Sequence, residues 1–194
     1  MMVYGARNMY NGTSGSELMG KKLGIHAYGN VGRNVARIAK GFGMEIYAYD
    51  AFCPVNIIEN DGVKALASAD ELYETCQFIS LHIPATAETK NSINYDLLSK
   101  MPKGAMLINT ARKEVINESE LVKLMEARSD FKYMTDIMPA NHTELAEKFA
   151  GRYCSTPKKM GAQTAEANIN AGIAAANQII DFLKNGVNTF QVNK

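Results

Sequence analysis

Short apolar runs alternate with amphipathic segments along most of the chain. The runs predict strands at 22–27, 45–50, 77–83, 105–110, 131–137 and 152–155, and a weaker strand at 63–66. Because the runs are apolar at nearly every position, both faces of the sheet are expected to be covered. Helical segments separate the strands, so the pattern predicts an α/β fold with a doubly wound parallel sheet of the Rossmann-like kind.

Apolar residues at helical spacing predict the helices between these strands. Three stripes comprise, in chain order, Val31, Val35, Ile38 and Phe42; then Leu121, Leu124 and Met125; and finally Ile169, Ile173, Ile180 and Leu183. Asn117 and Glu120 form a capping-box pattern at the start of the second helix. The third helix covers about 164–185, and Gly186 stands where its C-terminal cap belongs.

The composition narrows the class of protein. Apolar residues make up 46% of the 194 residues and charged residues 21%, which is typical of a folded globular chain. The net charge of +1 gives no support for a nucleic-acid or anionic-membrane surface. The cysteines, Cys53, Cys76 and Cys154, form no CxxC pair, so free thiols in a reducing compartment are expected. The missing CxxC pair also gives no reason to expect a metal site. Since the first residues show no secretory signal pattern, we expect a cytoplasmic protein.

The first predicted strand leads into a phosphate-binding turn, AYGNVG at 27–32, which is a GxGxxG pattern with alanine in the first place. Gly29 lets the backbone approach a pyrophosphate, and Gly32 lets the following helix pack close to the strand. The helix N-terminus offers unpaired N–H groups to the phosphates. The residues expected to line the cofactor here are Tyr28, Gly29, Asn30, Val31 and Gly32.

Asp50 ends the second strand, 18 residues after Gly32. A carboxylate at this point can accept hydrogen bonds from the adenosine ribose and repels a 2′-phosphate, which favours NAD over NADP. The alternative is a helix that starts with small residues for packing and an Asp that solvates a strand end. The order of strand, turn, helix, strand and terminal Asp favours the cofactor interpretation.

Three segments together indicate a family. They read LGIHAYGNVGRNVARIAKGFGMEIYAYD, FISLHIPATAETKNSIN and MPKGAMLINTARKEVINESELVKLM, and they resemble the D-isomer-specific 2-hydroxyacid dehydrogenases, especially the short 3-phosphoglycerate dehydrogenases. The resemblance implies an NAD-binding domain at 21–186, after a helix end and connecting loop at 1–20. It further implies a tail at 187–194 that returns to a substrate domain, which is mostly absent from this chain.

The resemblance extends the candidate site to the ends of the later strands. It implies cofactor contacts at His82, Ile83, Pro84, Thr110, Ala111, Arg112, Asp136 and Gly161. A guanidinium can grip a carboxylate through two parallel hydrogen bonds, and in the family the arginine of NTAR, here Arg112, binds the substrate carboxylate and carbonyl. Asp136 is expected beside the nicotinamide amide. Two alternatives stay open, that His82 is a core histidine and that Asp136 is a solvated strand end.

Two catalytic positions depart from the family pattern. Asn141 stands where a glutamate is expected, and Glu144 is a nearby substitute, whereas His142 is expected to be an exposed loop residue. The family histidine is replaced by Lys158 if the sequences are aligned on Thr-Pro, and by Lys159 if they are aligned on Gly-Ala. Arg112, Lys158 and Lys159 are therefore the catalytic candidates.

The resemblance implies hydride transfer between C2 of a D-2-hydroxy acid and NAD, with 3-phosphoglycerate in serine biosynthesis as the expected substrate. Alternatives are a glyoxylate or hydroxypyruvate reductase, and a non-catalytic NAD-binding sensor or co-repressor of the same fold. A homodimer is expected, to which the apolar residues at 1–10 contribute. For these 194 residues alone we expect cofactor binding without substantial turnover.

Overall fold

The computed structural model describes residues 16–159, 161 and 163–193. The predicted helix end at 1–10 and most of the predicted loop before 20 lie outside this part. The described strands are β1 Lys22–His26, β2 Glu45–Tyr49, β3 Lys64–Ala65, β4 Phe78–Leu81, β5 Met106–Asn109, β6 Lys132–Thr135 and β7 Tyr153–Ser155. Each predicted run, including the weak one, contains a strand. The prediction extends one or two residues too far at most C-terminal ends, because the chain leaves the sheet there to form turns.

All strand pairings are parallel, and the order across the sheet is β3-β2-β1-β4-β5-β6-β7. The chain winds outwards from β1 on one side and from β4 on the other, which confirms the predicted doubly wound fold. The order therefore reverses between β1 and β4, and sheets of this kind bind ligands beyond the carboxyl ends of the strands at that point.

Helices connect the strands. They are α1 Asn30–Gly41, α2 Val55–Asn60, α3 Ala69–Thr75, α4 Tyr95–Ser99, α5 Glu118–Ala127, α6 His142–Lys148 and α7 Ala165–Asn185, with a 3-10 turn at Lys113–Val115. Asn117 caps α5 by accepting a hydrogen bond from the Glu120 N–H at 3.3 Å. The Glu120 carboxylate accepts from the Tyr95 N–H at 2.8 Å instead of reaching back to Asn117. Only one half of the predicted capping box is therefore present.

Two buried apolar clusters cover opposite faces of the sheet. Tyr47 belongs to the larger cluster, whereas its neighbours Ile46 and Ala48 belong to the smaller one. Successive strand residues point to opposite faces, so the clusters lie on either side. This arrangement explains the near-continuous apolar strands in the sequence.

The helix α1 packs on the sheet through small residues. Its buried positions are Gly32, Ala36 and Ala39. Two residues of the apolar stripe that predicted the helix face solvent instead, since Val31 is 62% exposed and Ile38 is 56% exposed. The helix was predicted correctly, but of the predicted stripe only Val35, which is half-buried, packs against the smaller cluster. Only small residues fit where the helix meets β1 closely.

The contact pattern divides the described residues after Lys159, and the second unit contains α7. Thr164 caps this helix by accepting from the Ala167 N–H at 3.0 Å, and Gly186 ends it in the left-handed conformation at φ 68°. Both predicted ends of the helix are confirmed. The domain limits 21–186 and 187–194 stay predictions.

Among the described residues, no helix combines the length and the apolar character that a membrane span requires.

Candidate functional site

The turn after β1 holds an alanine where the GxGxxG pattern has its first glycine. Ala27 adopts φ 77°, in the left-handed region that favours glycine. Its N–H donates to the Tyr49 carbonyl at 2.8 Å, so the turn is tied to the end of β2. A left-handed alanine costs about 1–2 kcal/mol, which the surrounding contacts must offset. The methyl group is thus accommodated without loss of the turn.

The other two glycines of the motif have different roles. A Cβ on Gly32 would lie 2.5 Å from the Ala27 carbonyl oxygen and 2.9 Å from Ile25 Cγ2, so this position requires glycine for packing. A Cβ on Gly29 would meet nothing within 4 Å among the described residues, and Gly29 is exposed at the N-cap of α1. Its exposure leaves the backbone open to a ligand from outside.

Unpaired donors point out of the start of α1. Among the described contacts, the first backbone N–H of this helix with an acceptor is that of Arg33, which donates to the Gly29 carbonyl at 2.9 Å. The N–H groups of Asn30, Val31 and Gly32 precede it and have no acceptor within the helix. Together with the helix dipole, these donors form an environment suited to a phosphate group.

Asp50 is locked in place by backbone donors. Its Oδ2 accepts from the Tyr28 N–H at 2.7 Å, and its Oδ1 accepts from Phe52 at 2.7 Å and Cys53 at 2.9 Å. Burial acts to raise the pKa of Asp50, but the three donors outweigh it and hold the pKa below its ordinary value. The carboxylate is therefore charged at neutral pH. Its link to Tyr28, which sequence reasoning did not foresee, fixes its position relative to the phosphate turn.

Two neutral histidines end the neighbouring strands β1 and β4. His82 Nε2 lies 3.0 Å from Ser80 Oγ, and the His82 N–H donates to the His26 carbonyl at 2.9 Å. His26 Nδ1 lies 3.1 Å from the Tyr73 hydroxyl. Burial lowers the pKa of each imidazole to about 4. The half-buried His82 side chain thus has its hydrogen-bond partner, Ser80, in the strand that it follows. The next two residues are Ile83, which is buried, and Pro84, which is exposed.

His26 was missed by the sequence reasoning. The available signal was an imidazole in an otherwise apolar strand next to the glycine turn. In the structure it is 9% exposed and lies between β2 and α3, with ring contacts to Tyr49 and Tyr73. It therefore supports the start of the phosphate turn from inside the protein.

The turn after β5 is shaped by a buried asparagine. Asn109 Oδ1 accepts from the Ala111 N–H at 3.0 Å, and its Nδ2 donates to the Arg112 carbonyl at 2.9 Å. The Arg112 side chain is exposed, and its Nη1 donates to the Ala111 carbonyl at 2.8 Å. Thr110, which is half-buried, completes this turn. Asn109 thus positions the segment from which the guanidinium projects.

The structure separates the two candidate lysines. Lys159 Nζ donates to the carbonyls of Thr110 at 3.2 Å and Ala111 at 3.0 Å. The Lys158 side chain is exposed and makes no hydrogen bond among the described residues, while its carbonyl accepts from Thr156 Oγ1 at 2.9 Å. Lys159 is therefore the lysine whose amine lies against the turn that carries Arg112.

Asp136 ends β6 with an unsatisfied oxygen. The residue is 3% exposed, and its Oδ1 has no hydrogen-bond partner among the described residues. Burial raises the pKa of Asp136, although the charge of Lys159 acts in the opposite direction. A buried acceptor without a donor is rare, and it is suited to a ligand that supplies an N–H. The alternative of a solvated Asp does not fit this burial.

The residues near the missing glutamate have other partners. Asn141 is the N-cap residue of α6, and its buried Oδ1 has no partner among the described residues. Glu144 pairs with Lys148 at 2.9 Å on the same helix. His142 is not an exposed loop residue as expected. It begins α6, is half-buried and lies 2.8 Å from the Tyr153 hydroxyl.

The predicted site residues thus gather at the carboxyl edge of the sheet, after β1, β2, β4, β5, β6 and β7. Gly161 belongs to the C-terminal unit, so its contact with the cofactor stays a prediction. A glycine turn on a helix N-terminus with a charged carboxylate at the next strand end defines a dinucleotide-binding domain.

The family model for the NAD binding domain of D-isomer specific 2-hydroxyacid dehydrogenases matches residues 3–156. The chain therefore belongs to this family. D-3-phosphoglycerate dehydrogenase from Haemophilus influenzae is 32% identical over 187 residues, which cover 93% of this chain and 45% of that protein. Hydroxypyruvate reductase from Thermotoga maritima is 35% identical over 85% of this chain and 54% of its own length.

A solved structure gives a further match. The NAD+-bound 3-phosphoglycerate dehydrogenase of Entamoeba histolytica superposes with a TM-score of 0.87 at 46% identity, covering all of this chain and 62% of that one. The chain thus spans about half the length of these relatives.

Proposed function

We propose that this chain binds NAD along the carboxyl edge of its sheet and supplies the cofactor-binding part of a D-2-hydroxyacid dehydrogenase. The observation that carries the proposal is the charged Asp50 carboxylate, joined by a 2.7 Å hydrogen bond to Tyr28 of the phosphate turn. This bond joins Asp50, the proposed ribose acceptor, to the turn that leads into α1, which supports a single continuous cofactor site. The family match and the NAD+ bound to the Entamoeba relative support the same ligand.

The residues present fit the dinucleotide from end to end. The N–H groups at the start of α1 would hold the pyrophosphate, and Asp50 would accept from the adenosine ribose. The unpartnered Asp136 Oδ1 would accept from the nicotinamide amide, which satisfies this buried oxygen. When bound, NAD supplies the hydride-accepting chemistry, and the protein supplies placement and charge.

Arg112 and Lys159 are the residues we assign to the substrate. The Arg112 guanidinium would bind the carboxylate of a 2-hydroxy acid through paired hydrogen bonds. Lys159 would take the hydroxyl proton at Nζ, because its amine lies against the same turn as Arg112. Lys158 shows no such contact. This arrangement replaces the histidine of the family by an amine.

The proposed substrate is 3-phosphoglycerate, on the strength of the Haemophilus and Entamoeba relatives. The Thermotoga relative makes hydroxypyruvate the second candidate, and glyoxylate is a third acid of the same type. We further propose a cytoplasmic homodimer. Assays of this chain joined to a substrate domain, with each acid in turn, would rank the substrates by kcat/KM.

A second function is an NAD-binding sensor without turnover. Two observations favour it, namely Asn141 at the glutamate position and the absence of the family histidine. The exposed Arg112 side chain favours catalysis instead, because a sensor needs no carboxylate clamp. NADH binding without any turnover in the assay above would identify the sensor.

Titration with NADH tests the primary proposal. The wild type should give a saturable fluorescence signal, and Asp50→Asn should weaken it at least tenfold through loss of the charge-assisted ribose hydrogen bonds, which contribute about 1.5–3 kcal/mol. Asp50→Asn keeps a side-chain oxygen as acceptor for the Phe52 and Cys53 N–H groups, and its unfolding free energy is measured alongside so that lost order is separated from lost affinity. Asp96→Asn, at an exposed carboxylate in the first turn of α4, is the matched control and should bind normally. A folded wild type that gives no saturable signal would refute the proposal.

A further inference from the structure

A positively charged groove runs along α1 beside the phosphate turn. Its volume is about 410 Å³. Three cationic side chains line it, Arg33, Arg37 and Lys40, together with a single carboxylate, Asp61. The groove therefore carries net positive charge next to the site that we assign to the dinucleotide, although the chain as a whole is almost neutral.

Arg33, the cationic side chain nearest the turn, is paired with Asp61. Arg33 Nε lies 2.8 Å from Asp61 Oδ2, and Arg33 Nη2 lies 3.1 Å from Asp61 Oδ1. This is the paired geometry in which a guanidinium also grips a phosphate. Lys40 Nζ donates to the main-chain carbonyl of Asp61. The fork of Arg33 is thus already used by a carboxylate of this chain.

Tyr28 connects the same aspartate to the proposed ribose site. Tyr28 connects the two carboxylates, since its N–H donates to Asp50 and its hydroxyl donates to Asp61 Oδ2 at 3.1 Å. The charges of both carboxylates also act on the Cys53 thiol. Burial and then the Asp50 charge raise the pKa of Cys53, Arg33 lowers it, and Asp61 raises it further. The Arg33–Asp61 pair is therefore joined to Asp50 through Tyr28, and Arg33 directly follows Gly32 of the phosphate turn.

We propose that Asp61 is a second determinant of cofactor choice, which disfavours NADP by holding Arg33 away from an adenosine 2′-phosphate. The inference rests on the proposed function. Asp50 repels the 2′-phosphate directly, whereas Asp61 removes the cation that would compensate for that repulsion. The groove has both the volume and the charge to take such a phosphate once Arg33 is released. Preference for NAD thus depends on two carboxylates, and only one of them faces the ribose.

The test compares the affinities of NADH and NADPH for the wild-type chain and for Asp61→Asn. The Arg33 side chain is 47% exposed and the Asp61 side chain is 33% exposed. Because ion pairs with this exposure contribute little to the free energy of unfolding, the variant should fold. The ratio of NADPH affinity to NADH affinity should rise about tenfold, which corresponds to one charge-assisted contact of about 1.4 kcal/mol. Asp61→Ser provides a second variant, with the same expected rise.

Two controls separate this effect from a change in overall charge. Glu59→Gln removes an exposed carboxylate two residues earlier, on α2, and should leave the ratio unchanged. The double variant Asp61→Asn with Arg33→Ala should lose the gain, because the phosphate-binding cation is gone. An unchanged ratio in both Asp61 variants, an equal rise in Glu59→Gln, or a gain that survives loss of Arg33 would each overturn the inference. In those cases NADH still binds, whereas failure of the wild type to bind NADH would overturn the proposed function as well.

Discussion

Acidification from pH 7 to pH 5 should destabilise this protein through its buried histidines. His26 and His82 each have a pKa of about 4 in the folded chain, because burial disfavours the imidazolium, against 6.5 when exposed. A lowered folded pKa means that the unfolded chain binds more protons between these values. The stabilisation is therefore complete above pH 6.5 and is lost as the pH falls towards 4.

The size of the effect follows from the pKa difference. One pKa unit corresponds to about 1.4 kcal/mol, so the difference between 6.5 and about 4 gives His26 a total of about 3 kcal/mol. Between pH 7 and pH 5 the loss in unfolding free energy from His26 alone is about 2 kcal/mol. His82 adds a loss of the same sign. Asp136 acts in the opposite direction, because burial raises its pKa.

Urea unfolding followed by far-ultraviolet circular dichroism is the suitable assay, because the chain has no tryptophan. The wild type and His26→Gln are compared at pH 7 and pH 5. Glutamine can still bond the Tyr73 hydroxyl, so the variant should fold, with a fall in unfolding free energy about 2 kcal/mol smaller than that of the wild type. Asp136 titrates in both proteins and cancels in the comparison. Equal falls in both proteins would show that His26 is not held neutral by burial.

Three further outcomes are expected. Gly32→Ala should lower the unfolding free energy by at least 1–3 kcal/mol, about the cost of overpacking, because its Cβ would meet the preceding turn at 2.5 Å. Gly41→Ala, in the same helix but with open space around it, should be neutral or stabilising in the same urea titration. Lys159→Met should lower kcat by about 10²–10⁴-fold in a chain joined to a substrate domain, as expected for loss of a general base, whereas Lys158→Met should leave kcat near the wild-type value, and the opposite result would reassign the base. Asp130→Asn should reduce the loss of unfolding free energy that sets in below pH 4, since the Arg128 side chain lowers the pKa of Asp130 to about 2, and acid unfolding curves would check this.

The strands and the doubly wound parallel sheet were accessible from the sequence because each strand is a short apolar run, and a buried parallel sheet allows few other patterns. The packing of α1 was not accessible in the same way. Its most apolar residues, such as Ile38, are exposed, whereas Ala36 and Ala39 are buried. Periodicity locates a helix, but close approach to β1 selects residues by size rather than by hydrophobicity.

A candidate site residue could be predicted where a sequence motif specifies a single position. It could not be predicted where tertiary contacts determine which of several residues takes part. The glycine turn and Asp50 follow from spacing, and Arg112 follows from the family resemblance. Lys158 and Lys159 are equally compatible with the sequence, and only the fold brings one amine against the turn after β5. His26 has no motif at all, because its role depends on Tyr73 from a distant helix.

The three backbone donors on Asp50 have a consequence for protein engineering. Its carboxylate closes the turn after β1 and the loop after β2 at the same time. A designer who replaces this aspartate to broaden nucleotide use also loosens two connecting segments, so lost affinity and lost order would be mixed in one measurement. Redesign should therefore begin at positions whose side chains bond only to other side chains, and leave this anchor untouched.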